Sequence, residues 1–294
     1  MSPSVPFTVA ATCLAAASAL VGAQQRFTAH AEAVRVDVLV TDRGKPVTGL
    51  GADAFEVRDS GVVQRVAQIE VEPLPLSLVL VFDTSGSVAG RRLDSLRKAG
   101  RGLLDVLRDG DRVALLAFAT RVRMLVPLTS NRDSVRAAFD NLNGAGSTSL
   151  RDAAFAGLAL RGADRGRGLV LLFSDGVDTS SWLPAARVIE AATRTDVVVY
   201  PVAFHQAASP RRAHLDQSGR FLETLAEATG GRVVHPDGDV DLRATFVRTL
   251  AEFRDRYVLT YEPAGVPEGG WHPIQVRLKG KRGTITARRG YFAQ

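Results

Sequence analysis

Leu76-Ser77-Leu78-Val79-Leu80-Val81-Phe82 runs without polar alternation straight into Asp83-Thr84-Ser85-Gly86-Ser87. A strand wetted on one face alternates apolar and polar side chains. An unbroken apolar run belongs to a strand covered on both faces, as in the middle of a parallel sheet. A second such run, Leu169-Val170-Leu171-Leu172-Phe173, also stops at a carboxylate, in Ser174-Asp175-Gly176. Between them, Arg91 to Arg108 places Leu93, Leu96, Leu103, Val106 and Leu107 along one broad side and halts at Gly110, which reads as an amphipathic helix.

Further helices are expected at about Arg132 to Phe139, Leu150 to Leu160, Pro184 to Thr193, Phe221 to Thr229 and Leu242 to Phe253. Strands are expected at Arg112 to Phe118, Val122 to Leu128, Val197 to Phe204 and Val233-Val234, the first two as an edge hairpin around Ala119-Thr120-Arg121. Alternating strands and helices with continuous apolar strands predict an α/β fold with a doubly wound, mostly parallel sheet over residues 76–255. The flanks change period. Val34 to Val40 alternates strictly, and Phe55 to Gly61 and Val63 to Val71 read as two strands around a Ser-Gly turn. Tyr257 to Tyr261, Ile274 to Leu278 and Thr284 to Thr286 alternate likewise. Neither flank, 24–75 or 256–294, is large enough to bury a core alone. The two are therefore expected to pack into one small β-sandwich-like module into which the α/β domain is inserted.

Net charge is +6 with a pI near 10.0. The arginines, however, sit beside acids, as in Arg91-Arg92-Leu93-Asp94 and Arg254-Asp255-Arg256, and Lys279 to Arg289 reads as a solvated strand face. A nucleic-acid partner is discounted. Val9 to Ala23 is apolar or small and ends in Val21-Gly22-Ala23, so residues 1–23 read as a secretory signal peptide, too short for a membrane span. That places the chain in the periplasm, the cell envelope or outside the cell. Cys13 is the one cysteine, and it lies within this segment, so the mature chain would hold no disulfide.

Asp83, Ser85 and Ser87 offer one carboxylate and two hydroxyls at alternate positions. Such hard oxygens suit Mg²⁺, Mn²⁺ or Ca²⁺ rather than Zn²⁺, and ligands of open α/β sheets bind beyond the carboxyl ends of the strands. The same loop taken alone reads equally as a cap for the next helix. Gly144-Ala145-Gly146-Ser147-Thr148-Ser149 then sets Thr148 ahead of an Ala-rich helix, and Asp175 ends the second apolar run. In this order Asp83, Ser85, Ser87, Thr148 and Asp175 resemble the metal-ion-dependent adhesion site of von Willebrand factor type A domains. The resemblance implies that Ser85 and Ser87 bind the ion directly, that Thr148 does so when the site is occupied, and that Asp83 and Asp175 mainly anchor it through water. It also implies a partner protein whose Asp or Glu carboxylate completes the coordination, hence adhesion or assembly rather than turnover. The leading Val36-Asp37-Val38 and closing Arg289-Gly290-Tyr291 are similar to those of a secreted bacterial family related to these domains.

Two other readings compete. The metal could merely brace three loops, leaving a structural scaffold. Alternatively Asp83 or Ser85 could be the nucleophile of a Mg²⁺-dependent hydrolase. Asp83 lacks a second aspartate two residues on, Ser85 lacks recognisable His and acid partners, and Gly144-Ala145-Gly146 lacks a P-loop lysine. No enzyme is expected. Beside the site, Asp178 reads as a turn residue or as the anchor of a metal-bound water. Trp182 reads as a contact anchor or as half-buried against its own loop, and His205 as structural.

Overall fold

The computed structural model describes residues 33–70, 74–160, 166–175, 177–203, 212–236 and 242–293; the leader reading at 1–23 and His205 lie outside them. Strands β1 (Val34–Asp42), β2 (Lys45–Pro46), β3 (Phe55–Asp59), β4 (Val62–Gln64) and β5 (Gln68–Glu70) precede the first apolar run, which forms β6 (Leu76–Asp83). Then follow α1 (Arg91–Leu104), β7 (Arg112–Phe118), β8 (Val122–Thr129), α2 (Arg132–Asp140), α3 (Leu150–Ala159), β9 (Arg167–Ser174), α4 (Ala185–Thr193), β10 (Val198–Ala203), α5 (Arg212–Thr229) and α6 (Leu242–Arg254). Strands β11 (Tyr257–Tyr261), β12 (Gly270–Leu278), β13 (Thr284–Thr286) and β14 (Gly290–Ala293) complete the order.

The central sheet has the order β10-β9-β6-β7-β8. Its first four strands are parallel, and β8 returns antiparallel from β7 as the expected edge hairpin. Every residue of β6 and β9 is buried. Their side chains still alternate in direction, but both directions are apolar. Leu78, Leu80 and Phe82 pack with Leu96, Phe139, Phe246 and Phe253 of α1, α2 and α6. Val79 and Val81 pack with Ala153, Ala154, Val188 and Leu225 of α3, α4 and α5. Each fully buried Val, Leu or Phe contributes roughly 1.5–3 kcal/mol, so two-sided burial makes β6 and β9 strongly stabilising strands. Register sets the functional end: Phe82 pairs with Phe173 and Asp83 with Phe118, so β6, β7 and β9 stop in one row.

The flanks form two antiparallel sheets. One is β13-β1-β11-β5 with β2 on β1; the other is β14-β12-β3-β4. Val36, Val38, Phe55, Val57, Leu259, Tyr261 and Ile274 fill the core between them. Strands from both ends of the chain thus share one core, as expected. Three expectations need correction. Val63 to Val71 is not one strand: β4 pairs with β3, while β5 pairs with β11 in the other sheet, so Arg65 to Ala67 carries the chain across. Helix α1 stops at Leu104, because the Asp111 carboxylate takes the Arg108 amide and Val106 turns outward, exposed. Helix α5 begins at Arg212, nine residues before the expected Phe221. Val233-Val234 contributes one bridge, Val202 to Val234.

The two similarity motifs have physical roles. Asp37 ion-pairs with Arg167 of β9, and its carbonyl accepts from Arg256 at 3.0 Å. Arg256 also donates to the Thr286 and Gly230 carbonyls and, at 2.9 Å, to the Tyr200 hydroxyl. The joint between the β module and the α/β layers is therefore built of arginine on backbone carbonyls. Tyr291 reaches inward to Asp59. That buried carboxyl group accepts from Tyr261 (2.8 Å), Tyr291 (2.9 Å) and Ser60 (3.1 Å), and lies 2.9 Å from His272 Nδ1. Burial and the adjacent Asp59 push both tyrosine hydroxyls above the usual phenol range. Removing a shared acceptor strands several buried donors at about 1–3 kcal/mol each. Asp59→Ala is expected to lower urea-unfolding stability by about 3–5 kcal/mol, and Tyr291→Phe by about 1 kcal/mol. A loss under about 1 kcal/mol for Asp59→Ala would contradict the assigned role.

Candidate metal centre

Asp83 ends β6 with 0% of its surface exposed. One carboxyl oxygen accepts from the Ser85 amide (2.8 Å) and the other from the Ser174 hydroxyl (2.9 Å). Thr84 fixes the turn that follows, donating both its amide (2.7 Å) and its hydroxyl (3.0 Å) to the Phe118 carbonyl at the end of β7. A single 3₁₀ turn, Gly86–Val88, buries Val88 and leaves Ser87 exposed. The Ser85 and Ser87 hydroxyl oxygens then lie 3.1 Å apart.

The glycine-rich loop is laced onto this turn. Ala145 donates to the Thr84 carbonyl at 2.9 Å, and Gly86 donates to the Gly146 carbonyl at 3.1 Å. Gly146 has φ +90°, and a Cβ there would lie 2.6 Å from the Thr120 hydroxyl, so no other residue fits. That hydroxyl accepts from the Ser147 amide, and Ser149 donates its amide and hydroxyl to the Ala119 carbonyl. The third loop closes the set. The Thr148 amide donates to the Thr179 hydroxyl at 2.9 Å, and the Thr148 carbonyl accepts from Thr179 (2.8 Å) and Ser180 (3.0 Å). Thr148 and Asp175 are both buried. The five residues expected to hold a metal thus stand at one end of the sheet on loops bonded to one another.

Sequence reasoning missed Ser174, which register aligns with Asp83, and left Asp178 open. Asp178 caps α3 from outside the helix. Its carboxylate accepts the Arg151 amide (2.9 Å) and pairs with the Arg151 guanidinium (3.1 Å) while holding Ser181. Ser149, at the usual capping position, makes no side-chain cap, so this contact satisfies an amide that the helix leaves open. Burial acts to raise the Asp178 pKa, but the hydrogen bonds from Arg151 and Ser181 outweigh it and the net shift is downward. Asp178 thus joins its own loop to the start of α3. Trp182 is 93% exposed, which discards the half-buried reading.

Burial pushes the Asp83 carboxyl up to about 6, and the nearby charge of Asp175 adds to the rise; the Ser85 and Ser174 hydrogen bonds oppose it. Among the described residues no basic side chain pairs with either acid, and no three His, Cys, Asp or Glu side chains converge. The donor set is two carboxylates and three hydroxyls. Such a set fits a hard divalent cation, which would supply the missing positive charge and accept neutral oxygen ligands.

Residues 78–177, which include all five positions, match the family described as von Willebrand factor type A domain. The chain has the von Willebrand factor type A fold, and the family resemblance in sequence covers this central segment. A von Willebrand factor type A protein from Catenulispora acidiphila has a similar structure, with TM-score 0.53 and 14% identity over 86% of this chain and 75% of that one. The vWF domain of a type V pilus tip protein from Porphyromonas gingivalis gives TM-score 0.50 and 12% identity over 62% and 96%. At such identities the likeness establishes the fold. In sequence, a UPF0353 protein of Mycolicibacterium paratuberculosis is 27% identical over 187 residues, 54% of this chain and 55% of that one. The chain spans between 22% and 55% of the length of three curated relatives it matches.

Without a cation, the raised Asp83 pKa affects stability with a defined sign. A carboxyl whose folded pKa is raised stabilises the fold below its unfolded pKa of 3.8 and loses that contribution as pH rises through about 6. The rise from 3.8 to about 6 corresponds to about 3 kcal/mol. In chelator, Asp83→Asn is expected to match the parent near pH 4 and to exceed its stability at pH 7 by up to about 3 kcal/mol. Chemical denaturation at both pH values checks this, and a less stable Asn variant at pH 7 would contradict it.

Proposed function

We propose that this protein is a divalent-cation-dependent protein-binding module for adhesion or assembly. Asp83, Ser85, Ser87, Thr148 and Asp175 would hold Mg²⁺, or Mn²⁺ or Ca²⁺ in its place. The carrying observation is a fully buried Asp83 beside Asp175, with hydroxyl-bearing loops gathered around them. Three neutral hydroxyls leave the cation much of its charge, so it would supply affinity for one more anionic oxygen, an Asp or Glu of a partner protein. The fold shared with a pilus tip protein supports this by analogy.

The bracing-metal reading is weaker, because the three loops are already joined by backbone hydrogen bonds. A hydrolase reading is weaker too. Both Asp83 oxygens are occupied and sealed from solvent, a poor arrangement for a nucleophile. We therefore assign binding rather than turnover. Export to the periplasm, envelope or exterior is part of the proposal and rests on the leader-like residues 1–23. Among the described residues no helix is long and apolar enough to cross a membrane.

Calorimetric titration with Mg²⁺ and Mn²⁺ tests the site. Ser85→Ala and Asp175→Ala are each expected to weaken cation binding at least about tenfold with helix content unchanged by circular dichroism. Parent-like affinity in either variant would overturn the assignment.

A further inference from the structure

The surface beside the candidate metal centre carries a second, apolar determinant. Residues 178–183 run along the first turn of α3. Thr179 and Ser180 bond Thr148, Asp178 and Ser181 bond Arg151, and the amides of Trp182 (3.0 Å) and Leu183 (2.9 Å) both donate to the Asp152 carboxylate. The backbone of Trp182 is therefore fixed while its indole stands 93% exposed. Phe155, also exposed, lies three residues beyond Asp152 on the same helix face, and helical side chains lean toward the N-terminus, here toward Trp182. An exposed aromatic on a backbone fixed beside a binding centre suits an interface core.

The rim bears the opposite charge to the floor. Arg92 donates to the Ser87 carbonyl at 3.2 Å, and Arg121 is exposed at the tip of the β7–β8 hairpin, whose Thr120 holds the glycine-rich loop. The nearby acids Asp152 and Asp178 are engaged by α3 and its loop. With a cation neutralising Asp83 and Asp175, this face is positive with an aromatic at its side.

We infer that the partner is a protein segment carrying an Asp or Glu with an apolar side chain about two residues away, the carboxylate at the metal and the apolar group against Trp182. Thr148 stands two residues ahead of α3, and Asp152, whose carboxylate holds the Trp182 amide, lies in its first turn. Alternate side chains of an extended segment share one face roughly 7 Å apart, so a carboxylate and an apolar group two positions apart reach neighbouring points of this rim. The inference rests on the metal-site reading.

The test is panning a phage-displayed library of random peptides about twelve residues long against the immobilised full chain in Mg²⁺, in chelator, and as Trp182→Ala. Mg²⁺-dependent enrichment of peptides pairing Asp or Glu with an apolar residue two positions away is expected on the parent. On Trp182→Ala the acidic preference persists and the apolar one disappears. A synthetic copy of an enriched peptide should bind Trp182→Ala about tenfold more weakly, with Mg²⁺ affinity unchanged. Acidic enrichment without an apolar preference, or the same preference on Trp182→Ala, overturns the inference and leaves the metal-site reading standing. No Mg²⁺-dependent acidic enrichment overturns both.

Discussion

Asp83 occupies the point where a strand buried on both faces meets solvent-facing loops, and burial alone drives its carboxyl toward protonation. The neighbouring charge of Asp175 pushes the same way. Two hydrogen bonds, from Ser85 and Ser174, only partly offset that cost. The fold therefore holds a destabilised acid in place with the packing of β6 and β9 on both faces of the sheet. Such strain is what a cation site requires: charge that the protein has left unbalanced and loops that are ordered before the ion arrives.

The loops owe their order to contacts that do not involve the ion. Thr84, Thr120, Thr179 and the Gly146 carbonyl connect three turns and one hairpin into a continuous network. Away from it, the β module is locked to the α/β layers by arginines on carbonyls and by the Asp37–Arg167 pair. Asp59, at the end of β3, gathers three hydroxyls and a histidine from the adjoining turn and from β11, β12 and β14 in the module's interior. The site end and the module are thus held by separate polar networks.

Much of this was legible in the chain. β6 and β9 announced themselves because two-sided burial forbids polar alternation, and the five oxygen donors stood in order at the ends of those runs or ahead of a helix. Less legible was anything decided by pairing between distant segments. His272 lies 213 positions from Asp59, and no local pattern links them. The break between β4 and β5 reflects two different sheets competing for one apolar stretch, which periodicity alone does not reveal. The role of Ser174 was hidden because it follows from strand pairing, and that of Asp178 because it caps a helix distant in sequence.

A crystal soaked in Mn²⁺ and measured for anomalous scattering tests the central claim most directly, namely that three loops share one hard-cation centre. One strong peak is expected within about 2.0–2.4 Å of the Ser85 and Ser87 hydroxyl oxygens, with Thr148, Asp83 and Asp175 around it directly or through water. A soaked crystal with no peak at that end of the sheet, or with Thr148 turned away from the bound ion, would contradict it.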